Sequence, residues 1–144
     1  MIRDTVVTHL GESFVAYRDL AGSLPAEALD QKVSIPSNTI GAQFWCVLGA
    51  RESYTKAIET GEWAGFSCSL SGEDVVVQDK VIAAFQASES EFDRVVSQSD
   101  WTSSRDDLLL GLLEHEIQHQ GQLIRYVYGL GYEFPETWVK RWQL

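Results

Sequence analysis

The chain has 144 residues, 44% hydrophobic and 22% charged, which is the composition of one soluble globular domain with enough apolar mass for a real core. No run of about 18 apolar residues is present, so a membrane-spanning helix is not expected. A formal charge of −10 excludes broad binding to nucleic acid or anionic membranes, because such a surface repels phosphate.

The N-terminal dozen residues, MIRDTVVTHLGE, carry acids early and lack a long apolar run. They do not read as a secretory signal, and a cytoplasmic location is expected. Cys46 and Cys68 are too few and too far apart for a disulfide framework and are expected as free thiols. No repeat or low-complexity segment is visible. Breaks at 24–38, 60–72 and 97–104, rich in Pro, Gly or Ser, separate four segments with helical periodicity.

The first segment, about residues 3–22, places Val6, Leu10, Phe14, Tyr17 and Leu20 on one stripe, with His9 at its inward edge. The second opens at PSNT, where Ser37 or Asn38 can cap the first turn, and runs to about Thr60. Its stripe is Ile40, Gln43, Val47, Ala50, Tyr54 and Ile58, with Cys46 at the margin. The third starts near Glu73 and Asp74, whose charge suits a helix N-terminus, although the VVV run at 75–77 also fits a strand. The fourth starts at the capping run TSSRDD, extends to Tyr128 and stops at Gly129 or Gly131. Four such stripes with no convincing strand pattern predict an all-α domain over 1–144, most simply a four-helix bundle. The long first connection leaves room for a crossover. The aromatic tail YEFPETWVKRWQL is expected to fold over one bundle end or to join a homodimer contact.

The chemistry concentrates in EHEIQHQG, residues 114–121. On a helical wheel, Leu108, Leu112, His115, His119, Leu123, Tyr126 and Leu130 form one stripe, flanked by Gln122 on one side and by Leu109, Glu116 and Val127 on the other. Two imidazoles one turn apart can converge on one metal ion. Burying them otherwise costs several kcal/mol unless each nitrogen finds a partner. A third ligand is needed. His9, Cys46 and Cys68 supply the histidine and thiol alternatives, and Gln43 points inward but is a poor ligand for soft metals. His-Glu-x-x-His also matches the zinc-peptidase signature, in which Glu116 would activate a water. The third His of the extended signature and the accompanying strands are missing, leaving only Glu133 and Glu136 as late acidic ligands.

The stretch LLEHEIQHQGQLIRYVYGLGYEFP resembles the last helix of the DinB/YfiT-like superfamily of metalloenzymes, with His115, His119, Gly121, Gln122, Leu123, Gly131 and Pro135 in the family's order. NTIGAQFWCVLGARE is similar to its second helix. The resemblance implies an up-down-down-up four-helix bundle and a divalent metal, often nickel or zinc, held by three histidines. Cys46 stands where the family's second-helix histidine is expected, so the implied site is Cys46, His115 and His119, or one that has lost its metal. The resemblance also implies a thiol-dependent S-transferase or isomerase using a low-molecular-weight thiol such as bacillithiol or mycothiol on a small-molecule substrate. In that setting Glu116 is a candidate proton acceptor, and Gln43, Gln122 and Tyr126 are candidate pocket residues. A metal-free ligand-binding or structural protein on the same scaffold, and a small peptidase, are the competing readings.

Overall fold

The computed structural model describes residues 2–144. Five α-helices follow in order: α1 (Ile2–Ser23), α2 (Ile40–Thr60), α3 (Gln78–Gln98), α4 (Ser103–Leu130) and α5 (Glu136–Trp142). Among the described residues there is no strand, and the fold is all-α. Among the described residues no helix is long and apolar enough to cross a membrane.

Local chemistry sets the helix ends. Thr39, rather than Ser37 or Asn38, caps α2 by accepting from the Ala42 amide at 3.0 Å. Asn38 instead accepts from the side chains of Gln43 and Tyr126. Thr102 caps α4 in the same way. The helix then runs past Gly129 to Gly131, whose φ of 77° is the left-handed C-cap. The VVV run is neither strand nor helix start. Asp74–Val76 form a 3-10 turn, and α3 begins at Gln78. A second 3-10 turn, Ala26–Asp30, buries Ala28 and Leu29 within the first connection.

α1 packs against α3 and α4, and α2 packs against the same two helices. The contacts carry a register. Arg3 meets Asp106 near the starts of α1 and α4, and Ser13 meets Glu116 further along both. Across α2 and α4 the order reverses, since Gln43 meets His119 while the Ile58 carbonyl meets Arg105.

The apolar core falls into two clusters. One contains Leu10, Phe14, Ile58, Phe92, Leu109 and Leu112. The other contains Tyr17, Leu20, Phe44, Phe85, Leu123 and Trp138. In α2, α3 and α4 a buried polar residue lies between the two sets, Arg51, Ser88, and Glu116 with Gln120, and in α1 the buried Ser13 adjoins Phe14 near the border. Arg51 Nε and Nη2 donate to the Glu116 carboxylate at 2.9 and 3.2 Å. Arg51 Nη1 donates to Ser88 at 3.2 Å, and Ser13 donates to Glu116 at 2.6 Å. The guanidinium lies over the Phe14 ring at 3.9 Å. Gln120 donates to Ser13 and accepts from Trp142, which ties this layer to α5. The tail does fold back: Trp138 is fully buried, and its indole donates to the Ala16 carbonyl.

This layer corrects the helical wheel of α4. Its buried face is Leu109, Leu112, Glu116, His119, Gln120, Leu123 and Val127, rotated toward the flank that holds Glu116. Two long polar side chains can occupy it because Arg51, Ser13 and Trp142 satisfy them. His115 consequently sits at the edge of the core, half-buried, rather than at its centre.

Candidate metal centre

That rotation brings the two helix margins together. Cys46 lies at the margin of α2 and His115 at the margin of α4, and both open on the seam between these helices. Cys46 Sγ is 3.8 Å from His115 Nε2. The rings of His115 and His119 have centroids 4.5 Å apart. One ligand atom from each of Cys46, His115 and His119 lies within 4.8 Å of the others, a grouping that can hold a metal ion.

Hydrogen bonds fix part of the geometry. Asn38 Oδ1 accepts from Gln43 Nε2 at 2.7 Å and from the Tyr126 hydroxyl at 3.2 Å. Gln43 therefore turns its carbonyl oxygen to His119 Nδ1, with which it makes a short hydrogen bond. An amide oxygen only accepts, so Nδ1 carries the proton and Nε2 keeps its lone pair for a ligand. An outer partner of this kind commonly orients a metal-binding histidine. His115 Nδ1, by contrast, is buried with no hydrogen-bond partner.

Burial tunes the protonation states. Loss of hydration lowers the pKa of His115, against a smaller opposing pull from Glu116. Burial, then His115 nearby, lowers His119 to about 4. Both imidazoles are neutral at pH 7 and able to ligate. Burial raises the Cys46 thiol, so without a cation it is an S–H facing His115. The set of one sulfur and two nitrogens, with an orphaned imidazole nitrogen, fits a borderline or soft divalent ion.

Other sequence candidates fall elsewhere. His9 is exposed and pairs with Glu12, in a groove beside α5 and away from the seam. That groove encloses about 880 Å³, yet its lining includes none of Cys46, His115 and His119. Cys68 donates to the Trp45 carbonyl at 3.7 Å, and burial lifts its pKa to about 11. Glu133 and Glu136 are exposed, Glu136 pairing with Lys140. Glu116, expected at a helix edge, is fully buried with its two oxygens on Arg51 and Ser13. Gln122 is half-buried, three residues beyond His119. Arg51 escaped notice in the sequence, and Asn38 was expected there only as a helix cap. Arg51 shares the spacing of Val47 and Ile58, and that register was its only signal.

Residues 4–143 match the sequence profile of the DinB family, and the chain belongs to that family. No curated protein matches it at a significant level.

Proposed function

We propose that this chain is a metal-dependent enzyme that transfers a low-molecular-weight thiol to a small electrophile, built as a single up-down-down-up four-helix bundle. The parallel register of α1 with α4 and the reversed register of α2 with α4 support that topology. One observation carries the functional reading: Cys46, His115 and His119, from two helices, converge on one point. A divalent ion there, nickel or zinc, would lower the pKa of a thiol at its open position and present the thiolate as nucleophile.

The chain's own residues do the rest. Cys46, His115 and His119 hold the ion, and Gln43 holds the His119 ring in the ligating tautomer. Asn38 and Tyr126 offer an amide and a phenol at the mouth, with Gln122 nearby, to orient polar atoms of the thiol or substrate. In a displacement, the S–C bond forms, the carbon–leaving-group bond breaks, and the thiol proton leaves with the departing group. Glu116 is assigned to the scaffold, because its carboxylate is spent on Arg51 and Ser13. The same engagement disfavours a peptidase, which needs that glutamate against a metal-bound water. A cytoplasmic homodimer acting on a small molecule, without nucleic acid or membrane, completes the reading.

Metal analysis of protein purified without a histidine tag tests it. About one equivalent of nickel or zinc is expected, lost in His115→Ala and in Cys46→Ala. Substoichiometric metal after reloading would sink the proposal. A metal-free binding protein would then be favoured by the Cys46–His115 contact, in which a protonated thiol engages His115 Nε2 without an ion.

A further inference from the structure

The seam that holds Cys46 and His115 continues toward the start of α4, and there both helices carry a glycine. Gly49 lies three residues after Cys46 on α2, and Gly111 lies four residues before His115 on α4. Because the helices run in opposite directions, both positions are one turn from the candidate ligands on the same side. Glycine inside a helix is destabilising relative to alanine, so two at matching positions call for a reason.

Each glycine makes room for an aromatic ring. A Cβ on Gly49 would clash with the Phe66 ring, 2.2 Å from its Cζ, and one on Gly111 would lie 3.2 Å from Tyr54 Cε1. The rings are paired in turn. Phe66 packs on Trp45 with centroids 5.0 Å apart, and Trp63 packs on Tyr54 at 4.9 Å. Phe66 and Trp63 belong to the loop after α2, which Ser53 and Glu52 pin down through Ser67 and Ser69. Despite this anchoring, Phe66 and Trp63 stay 44% and 49% exposed. A cavity of about 350 Å³, lined by Tyr54, Trp63, Leu108 and Gly111 and rimmed by Ser104 and Asp107, touches none of the three candidate ligands itself but lies between the same two helices, its Gly111 one turn before His115 on α4. That size suits one small molecule.

We infer that this cavity is the substrate subsite of the same centre and takes the flat, uncharged aromatic or otherwise apolar part of a small electrophile, leaving its reactive carbon toward Cys46 and His115. The inference rests on the functional reading above. Ring faces at Trp63 and Tyr54 favour a planar group through stacking. The acidic rim at Asp107 and the net charge of −10 disfavour an anionic one. The opposite end of the seam, with Asn38, Gln43 and Tyr126, is polar.

The test titrates the neutral fluorophore N-phenyl-1-naphthylamine into the full chain, and in parallel follows cobalt(II) loading by its visible absorption. Saturable binding to the wild type is expected, weakened about ten-fold or more in Trp63→Ala and in Gly111→Val, whose side chain enters the cavity. Cobalt uptake should stay within about two-fold of wild type in Trp63→Ala, since no ligand is touched. Trp63→Ala alters an exposed loop residue, so it reports even if Gly111→Val fails to fold. Equal probe binding in wild type and Trp63→Ala, or none in wild type, would overturn the subsite. Loss of cobalt binding with probe binding intact would instead remove the metal centre and leave an aromatic-binding pocket.

Discussion

His115 and Glu116 are neighbours in sequence and opposites in environment. Glu116 enters a layer in which the side-chain donors and acceptors of Arg51, Ser13, Ser88, Gln120 and Trp142 are matched to one another. His115 turns the other way, into a seam where one ring nitrogen is buried without a partner and the other faces a thiol 3.8 Å away. The first region is closed chemistry, with no coordination or proton-transfer capacity left over. The second has capacity to spare. Ionisable residues are equally prominent in both, so charge alone does not mark a site; unspent valence does.

The largest effect that would break this contrast is on stability. Arg51→Ala or Glu116→Ala leaves its partner's charge buried and alone, and is expected to cost about 3–5 kcal/mol. Urea unfolding measures it. Replacing both by apolar residues of similar volume should recover much of the loss, as buried ion pairs are roughly neutral against good packing. A single-variant cost under about 1 kcal/mol would mean that the layer is not sealed.

On the seam the pattern should invert. Gln43→Ala removes two side-chain hydrogen bonds, to Asn38 and to His119, expected to cost about 2 kcal/mol of metal-free stability. Metal affinity is expected to fall about 10–100-fold, since His119 loses the group that fixes its tautomer. Competition against a chromophoric chelator reads the affinity. A stability loss as large as that of the Arg51 variant, with affinity unchanged, would place Gln43 in the scaffold.

Acid separates the two regions by a different route. His119 titrates near 4 in the fold against an ordinary value of 6.5, because burial and His115 oppose its charging. At neutral pH the ring is uncharged in folded and unfolded states alike. Between 6.5 and 4 the unfolded chain takes up the proton first, so metal-free stability should fall as pH drops through that window. His115, shifted the same way, adds to the slope. His119→Gln is expected to flatten the dependence of the unfolding midpoint on pH between 4 and 6.5. An unchanged slope would mean that carboxylates alone carry it.

Much of the fold was legible because apolar period and caps agree: Leu10, Phe14, Tyr17 and Leu20 form the stripe their spacing predicts. The histidine pair and Cys46 were legible as residue types on particular helix faces. Their meeting was legible only through the family resemblance and not from the helical wheel, which leaves out the polar side chains that rotate α4. An arginine in a hydrophobic register reads as an interruption until its partner, 65 residues away, is known. The tail shows the same limit. Its aromatics announced packing, but the seven-residue helix α5 is held by long-range partners, Ala16 and Gln120, rather than by local propensity.

The smallest predicted effect probes the seam most finely. Asn38 is exposed, and the sequence offered it as a helix cap, a role Thr39 takes. Asn38→Ala should therefore shift stability by no more than about 0.5 kcal/mol. Yet Asn38 Oδ1 is what receives Gln43 Nε2, and so decides which end of that amide His119 sees. Without it, Gln43 can turn over and offer N–H to Nδ1, which favours the tautomer with its proton on Nε2, the nitrogen needed for a metal. Each inverted amide removes one competent ligand. A several-fold loss of metal affinity, smaller than that of Gln43→Ala, is expected in a protein of unchanged unfolding midpoint. Because Tyr126 also donates to Asn38, Tyr126→Phe should leave the amide in place and the affinity near wild type. Equal losses in both variants would show that the tyrosine hydroxyl, rather than the orientation of the amide, is what the metal site depends on.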